Sequence, residues 1–166
     1  MRRDYFELTV ENVDWVDDGG SPEKPLVRID FDGADDATTD DSRPADSLRE
    51  RFTGADGELL DAAETDVAFR LQGDPDDPTA TGVVAVTNRL TGDFILELNE
   101  DADDVLPFIR AAREYGKRAD GEGRYRVEVD VSGEPLVVYE KSTFLVYDAD
   151  GGLLRGRSLI PSGVEL

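Results

Sequence analysis

Apolar and polar residues alternate with period two along much of the chain. Phe6, Leu8 and Val10 alternate with Glu7, Thr9 and Glu11, and Val27, Ile29 and Phe31 alternate with Arg28, Asp30 and Asp32. Successive side chains of a strand point to opposite faces, so each run predicts a strand with one buried face. The pattern returns at Val67, Phe69 and Leu71, at Val84 and Val86, at Phe94, Leu96 and Leu98, and at Tyr125, Val127, Val129 and Val131. Further strands are expected within 136–147 and 153–160. Thr91-Gly92-Asp93, Ser132-Gly133-Glu134 and Asp148-Ala149-Asp150-Gly151 carry the residues of hairpin connections. Ala55-Asp56-Gly57 is expected to join two shorter strands, 48–53 and 58–60, with a short helix as the alternative.

One segment has the helical period. Val105, Phe108, Ile109 and Ala112 fall at i, i+3, i+4 and i+7, with Arg110, Arg113 and Lys117 off that stripe. Asp101, Asp103 and Asp104 suit the helix start, Lys117 and Arg118 suit its end, and Pro107 is expected within the first turn, which predicts a helix over about 103–118. Residues 33–46 hold five Asp and no large apolar side chain, and predict a flexible loop inside a single globular domain spanning 1–166. Residues 73–80, with Pro75 and Pro78, predict a second loop. Together these elements predict a mainly β fold: a two-layer antiparallel β-sandwich of about eight strands with one α-helix. An α+β arrangement, an antiparallel sheet with the helix on one face, is the competitor.

Composition narrows the chemistry. The chain has no Cys and no His, which excludes disulfides, thiolate nucleophiles, His or Cys metal sites and the triads that need imidazole. Its formal charge is −21. The 39 acids are 25 Asp and 14 Glu, and the 18 bases are 15 Arg and only 3 Lys. Short, strongly hydrated carboxylates with few lysine stems suit a cytoplasm of molar salt, where the Debye length is about 3 Å and self-repulsion is screened. The first residues run straight into strand-like sequence without an apolar leader, and no stretch is apolar enough to span a bilayer, so a soluble cytoplasmic protein is expected.

Candidate sites are few. The pairs Asp17-Asp18, Asp35-Asp36 and Asp40-Asp41 and the runs at 74–77 and 101–104 lack the ligand spacing of a calcium loop, and a chain this acidic forms such clusters by composition, so no metal site and no cofactor is assigned. Lys141 and Ser142 are adjacent in a predicted strand and point to opposite faces, so they do not make a catalytic dyad. No phosphate-binding loop motif is present, and no catalytic residue is assigned. The charge is uneven: residues 1–104 carry 29 acids and 9 bases, whereas 105–157 carry 9 of each. Eight of the nine bases of that neutral stretch, Arg110, Arg113, Lys117, Arg118, Arg124, Arg126, Arg155 and Arg157, are the candidate interaction patch. The competing reading has them spent in helix-face and cross-strand ion pairs. Trp15 is expected at the edge of the core rather than as an interface anchor.

The segments RRDYF, NVDW, TGADGELLDAAETDVAFRLQ, TGVVAVTNRLTGDFILELN, FIRAAREYG, STFLVYDADGGLLR and SLIPSGVEL resemble a small uncharacterised haloarchaeal protein family, a domain of unknown function. The resemblance implies a salt-adapted, single-domain cytoplasmic protein and brings no site residues. The expectation is therefore a non-catalytic protein–protein interaction module, its partner another protein or a second copy in a homo-oligomer. Nucleic acid is disfavoured by the net charge, and no membrane association is expected. The alternative is a protein or enzyme that uses Asp, Glu or Arg to bind a divalent ion or an anionic metabolite.

Overall fold

The computed structural model describes residues 6–31, 44–74, 76–77, 79–118, 124–131 and 133–160. Among the described residues, eight strands form two four-stranded sheets arranged as a sandwich. The first holds β1 (Phe6–Glu11), β2 (Leu26–Phe31), β6 (Tyr125–Val131) and β7 (Glu134–Lys141), in the order β1-β2-β6-β7. The second holds β3 (Thr65–Leu71), β4 (Thr81–Asn88), β5 (Phe94–Asp101) and β8 (Leu145–Tyr147), in the order β5-β4-β3-β8. Between them lies a core that includes Ile29, Phe31, Phe69, Leu71, Leu96, Leu98, Val127 and Val129, the inward half of each alternating run. The mainly β fold with one principal helix is as the alternation predicts.

Pairing within the sheets is mixed where antiparallel pairing is expected. β2 runs parallel to β6, and β3 runs parallel to β8. The cause is connectivity. A hairpin forces its strands antiparallel, but the chain leaves the first sheet after β2, builds the β3-β4-β5 meander and returns through α3 (Ala102–Arg118) to lay β6 beside β2. After the β6-β7 hairpin it crosses back and adds β8 beside β3.

Helix α3 buries Val105, Phe108, Ile109 and Ala112, the stripe predicted for it. It begins at Ala102, so Pro107 falls in the second turn rather than the first, and the helix forgoes the bond that a nitrogen there would give to the Asp103 carbonyl. Phe108 sits edge-on to Tyr125 (centroids 5.4 Å apart, 83° between planes) and also meets Phe144 at 6.2 Å. The hydroxyl of Tyr125 donates to the Thr143 carbonyl at 2.7 Å.

Three local expectations change. Residues 48–53 do not form a strand but fall mostly in a short helix, the alternative expected there: α2 (Pro44–Arg51) holds them because Leu48 and Phe52, four apart and both fully buried, reach the core from one face of a helical turn. A single Thr53–Leu59 bridge closes the turn at 54–58, with Gly57 at φ +83°. Residues 136–147 split into β7 and β8, and 153–160 contributes only two isolated bridges, Leu153 to Tyr147 and Leu159 to Phe144. Residues 33–43 of the expected acidic loop lie outside the described residues, as do 161–166, and 44–46 open α2. Trp15, in the one-turn helix α1 (Trp15–Asp18), is 6% exposed and donates from Nε1 to the Asn12 carbonyl at 2.6 Å, a place at the margin of the core.

The two sheets are tied at one edge by side chains of β7. Tyr139 donates to the Leu60 carbonyl at 2.7 Å, and two residues on, from the same strand face, the Lys141 ammonium donates to the carbonyls of Ala62 and Thr65, each at 2.6 Å. Those carbonyls belong to the 3₁₀ turn Ala62–Glu64 and to the first residue of β3. Lys141 is thus spent on structure; burial lowers the lysine's pKa, and the charge of Asp66 acts against that.

Candidate functional site

The outer faces of the two sheets differ in kind. On the first, Arg28 is bracketed by Glu11, Glu128 and Asp130 at 3.6, 3.3 and 3.7 Å, while Arg126 and Lys24 share Glu140 at 2.8 and 2.9 Å. Half-exposed Val138 is set opposite Glu128 there. This is a solvated, ion-paired surface.

On the second sheet the registers place three rows of outward side chains. The middle row reads Leu145, Ala68, Ala85, Glu97; to one side run Tyr147, Arg70, Val83, Asn99, and to the other Asp66, Thr87, Phe94. Two alanines face each other at the centre and larger side chains stand around them, so the face is concave. A cavity of about 890 Å³ lies over it, with Ala68, Val83, Ala85 and Leu145 as its floor and Phe94 and Tyr147 among its walls. Phe94 is 54% exposed, a large share for an aromatic ring on a sheet face and a departure from the buried place that its alternation with Leu96 and Leu98 predicts. The register shift between Val86 and Thr87 skips Ile95, which is buried, and turns Phe94 outward. Charge on the rim is balanced: Arg70 and Arg89 stand with Asp66 and Glu97. Arg89 pairs with Asp66 at 3.2 Å, and Arg70 reaches the Ala149 carbonyl at 3.5 Å.

A trace of this face is readable in the sequence. Val83-Val84-Ala85-Val86 is apolar on consecutive positions, whereas a strand with one solvated face alternates. Only Val84 and Val86 enter the alternating pattern; Val83 and Ala85 are its outward counterparts, and both are buried.

The eight bases of the candidate patch do not gather on one surface. Arg110, Arg113 and Arg157 line a separate cavity of about 480 Å³ beside the first turns of α3, together with Asp76, Asp77 and Asp103. All three are engaged there: Arg110 with Asp17 at 2.6 Å, Arg157 with Asp76, and Arg113 with the carbonyls of Gly156 and Ser158 at 3.3 and 2.7 Å. Thr79, donating from its hydroxyl and then from its backbone N–H, lowers the pKa of Asp77. Lys117 pairs with Glu114 on the helix, and Arg126 pairs with Glu140 across strands. Arg124 lies against Gly116, where a Cβ would come within 2.4 Å of its Cδ. Arg118 is the last residue of α3, and Arg155 is exposed in the segment after β8.

Among the described residues, one group of three carboxylates has ligand oxygens within 4.8 Å of one another: Glu100, Asp101 and Asp104, where β5 runs into α3. Burial, and then a hydrogen bond with Asp104, push the Glu100 carboxyl up to about 7, so a retained proton relieves this crowding. The native state then holds a proton that the unfolded chain releases near 4.5, and stability falls as pH rises from about 4.5 to about 7. Glu100→Gln is expected to raise stability at pH 8 by about 1–2 kcal/mol, after discounting for solvent screening at a part-exposed carboxyl, and to add almost nothing at pH 4. Thermal melts of both chains at fixed molar KCl check this, and equal differences at the two pH values would contradict it.

The buried polar side chains among the described residues, Thr65 and Ser158, serve the backbone: Ser158 Oγ donates to the Leu154 carbonyl at 2.8 Å and accepts from the Val146 N–H at 2.8 Å. No helix among the described residues is long and apolar enough to cross a membrane. The family model described as a family of unknown function (DUF5793) matches residues 1–166. No curated protein and no solved structure matches the chain.

Proposed function

Because the chain belongs to DUF5793, a family of unknown function, we propose its role from the molecule itself: a non-catalytic, salt-adapted cytoplasmic module that docks a protein through the outer face of its second sheet. The observation that carries this reading is the concave face over Ala68, Val83, Ala85 and Leu145, walled by half-exposed Phe94. An apolar floor ringed by polar and charged side chains is the anatomy of a protein interface. The lack of imidazole and thiol, and the commitment of Lys141 and Ser158 to backbone partners, support the absence of catalysis.

Charge supports the same face. On a chain of net −21, docking on most of the surface meets long-range repulsion from any acidic neighbour, and a rim with two arginines and two carboxylates does not. Salt adaptation rests on the excess of Asp and the scarcity of Lys. The reading is tested by photocrosslinking in extract of the expressing cells at molar KCl, from a photoreactive phenylalanine analogue carried at position 94 or, for comparison, at position 138 on the ion-paired face of the other sheet.

A further inference from the structure

We infer that the occupant of this groove is a second copy of the chain, docked about a two-fold axis that runs across the strands through the Ala68–Ala85 row; the inference rests on the docking reading above. The outward side chains of β3 are Asp66, Ala68 and Arg70, so an acid and a base flank the central alanine at equal distances, two residues to either side. Turning the strand end for end about Ala68 exchanges their places. In a pair of copies related by that axis, Arg70 of each copy stands over Asp66 of the other. The two ion pairs lie about 13 Å apart, one at each end of the apolar centre. Such a contact is closed and uses the same patch on both copies, as two-fold interfaces do.

The side chains present can make these pairs without giving up the ones they have. Asp66 keeps 45% of its side chain exposed while it holds Arg89, and a carboxylate accepts from two guanidinium groups. Arg70 donates a single long bond to the Ala149 carbonyl and has further N–H groups to offer. A partner carrying one sign of charge would satisfy one end of β3 and oppose the other; a copy of the same face satisfies both. The like-charge contact it brings, Glu97 facing its counterpart along the axis, falls on β5 at the sheet edge, away from the β3 pairs. The rims of two such faces meet first, and the hollow over Ala68 and Ala85 leaves room for the Phe94 rings of both copies to turn inward over Val83 and Leu145 and lose their exposure. Two bodies of −21 repel one another as wholes, so association strengthens as KCl screens them, although the local ion pairs weaken.

The test is sedimentation velocity on the purified full chain in molar KCl across a wide concentration range. The wild type is expected to dimerise, and Arg70→Asp and Phe94→Glu are each expected to weaken dimerisation at least tenfold while leaving the circular dichroism unchanged. Arg70→Asp sets acid against acid at both pairs, and Asp66→Arg sets base against base, so an equimolar mixture of those two variants is expected to recover a dimer close to wild-type affinity. Should Asp66→Arg fail to fold, Arg70→Asp and Phe94→Glu decide the matter alone. A wild type that stays monomeric, or a dimer indifferent to both of those substitutions, overturns the inference. A monomer whose position-94 adduct has a mass other than twice the chain rejects the second copy and keeps the docking face; absence of any adduct from position 94 removes the docking reading as well.

Discussion

Phe108→Ala is expected to cost about 3–5 kcal/mol of stability, a large share of the 5–15 kcal/mol that holds a domain of this kind folded. The ring is 1% exposed and stands at the junction of helix and sheets, edge-on to Tyr125 and against Phe144. Truncation opens a cavity bounded by Tyr125, which is itself anchored through its hydroxyl to the Thr143 carbonyl and is therefore poorly placed to move in and fill it. Phe108→Leu keeps most of the volume and should cost about 1.5 kcal/mol or less. Urea unfolding of both variants in molar KCl separates the two outcomes; equal midpoints would mean that α3 is not seated on this aromatic cluster.

The second large effect is expected at Lys141. Lys141→Met removes the ammonium that donates to the Ala62 and Thr65 carbonyls at 2.6 Å and leaves both without that charged donor, at a cost of about 2–4 kcal/mol. Lys117→Met is the matched control. That side chain is 64% exposed and, among the described residues, pairs with Glu114 one helical turn away, so its loss should change stability by no more than about 0.5 kcal/mol. The comparison isolates position from residue type, because both changes remove one of only 3 lysines and shift the net charge equally. Similar urea midpoints for the two variants would show that the clamp between β7 and the start of β3 does not hold the sheets together.

Alternation made most strands legible because each has one face in the core, and period two is the direct consequence of that burial. It could not reveal which strands are parallel: the β2–β6 and β3–β8 pairs follow from the route of the chain between sheets, which side-chain patterning does not record. Leu48 and Phe52 misled for a related reason, since a four-residue spacing returns a side chain to one face in either a helix or a strand. The linear charge count pointed to 105–157, yet the bases there are dispersed over a helix, the first sheet and a loop, and four of the eight are matched by nearby acids. The balanced surface lies instead largely within the acidic two thirds, where Arg70 and Arg89 meet Asp66 and Glu97 through strand register. Its clearest sequence signal was the unbroken apolar run at 83–86.

The outer face of the second sheet, if it is the surface this protein uses, must lie against its partner in the cell. Crosslinking from positions 94 and 138, carried out side by side in cell extract at molar KCl, tests that most directly, because Phe94 and Val138 have nearly equal exposure, 54% and 51%, on opposite sheets of one molecule. A discrete adduct is expected from position 94 at a yield at least tenfold above that from position 138. Equal yields from the two positions, or an adduct from position 138 alone, would contradict it.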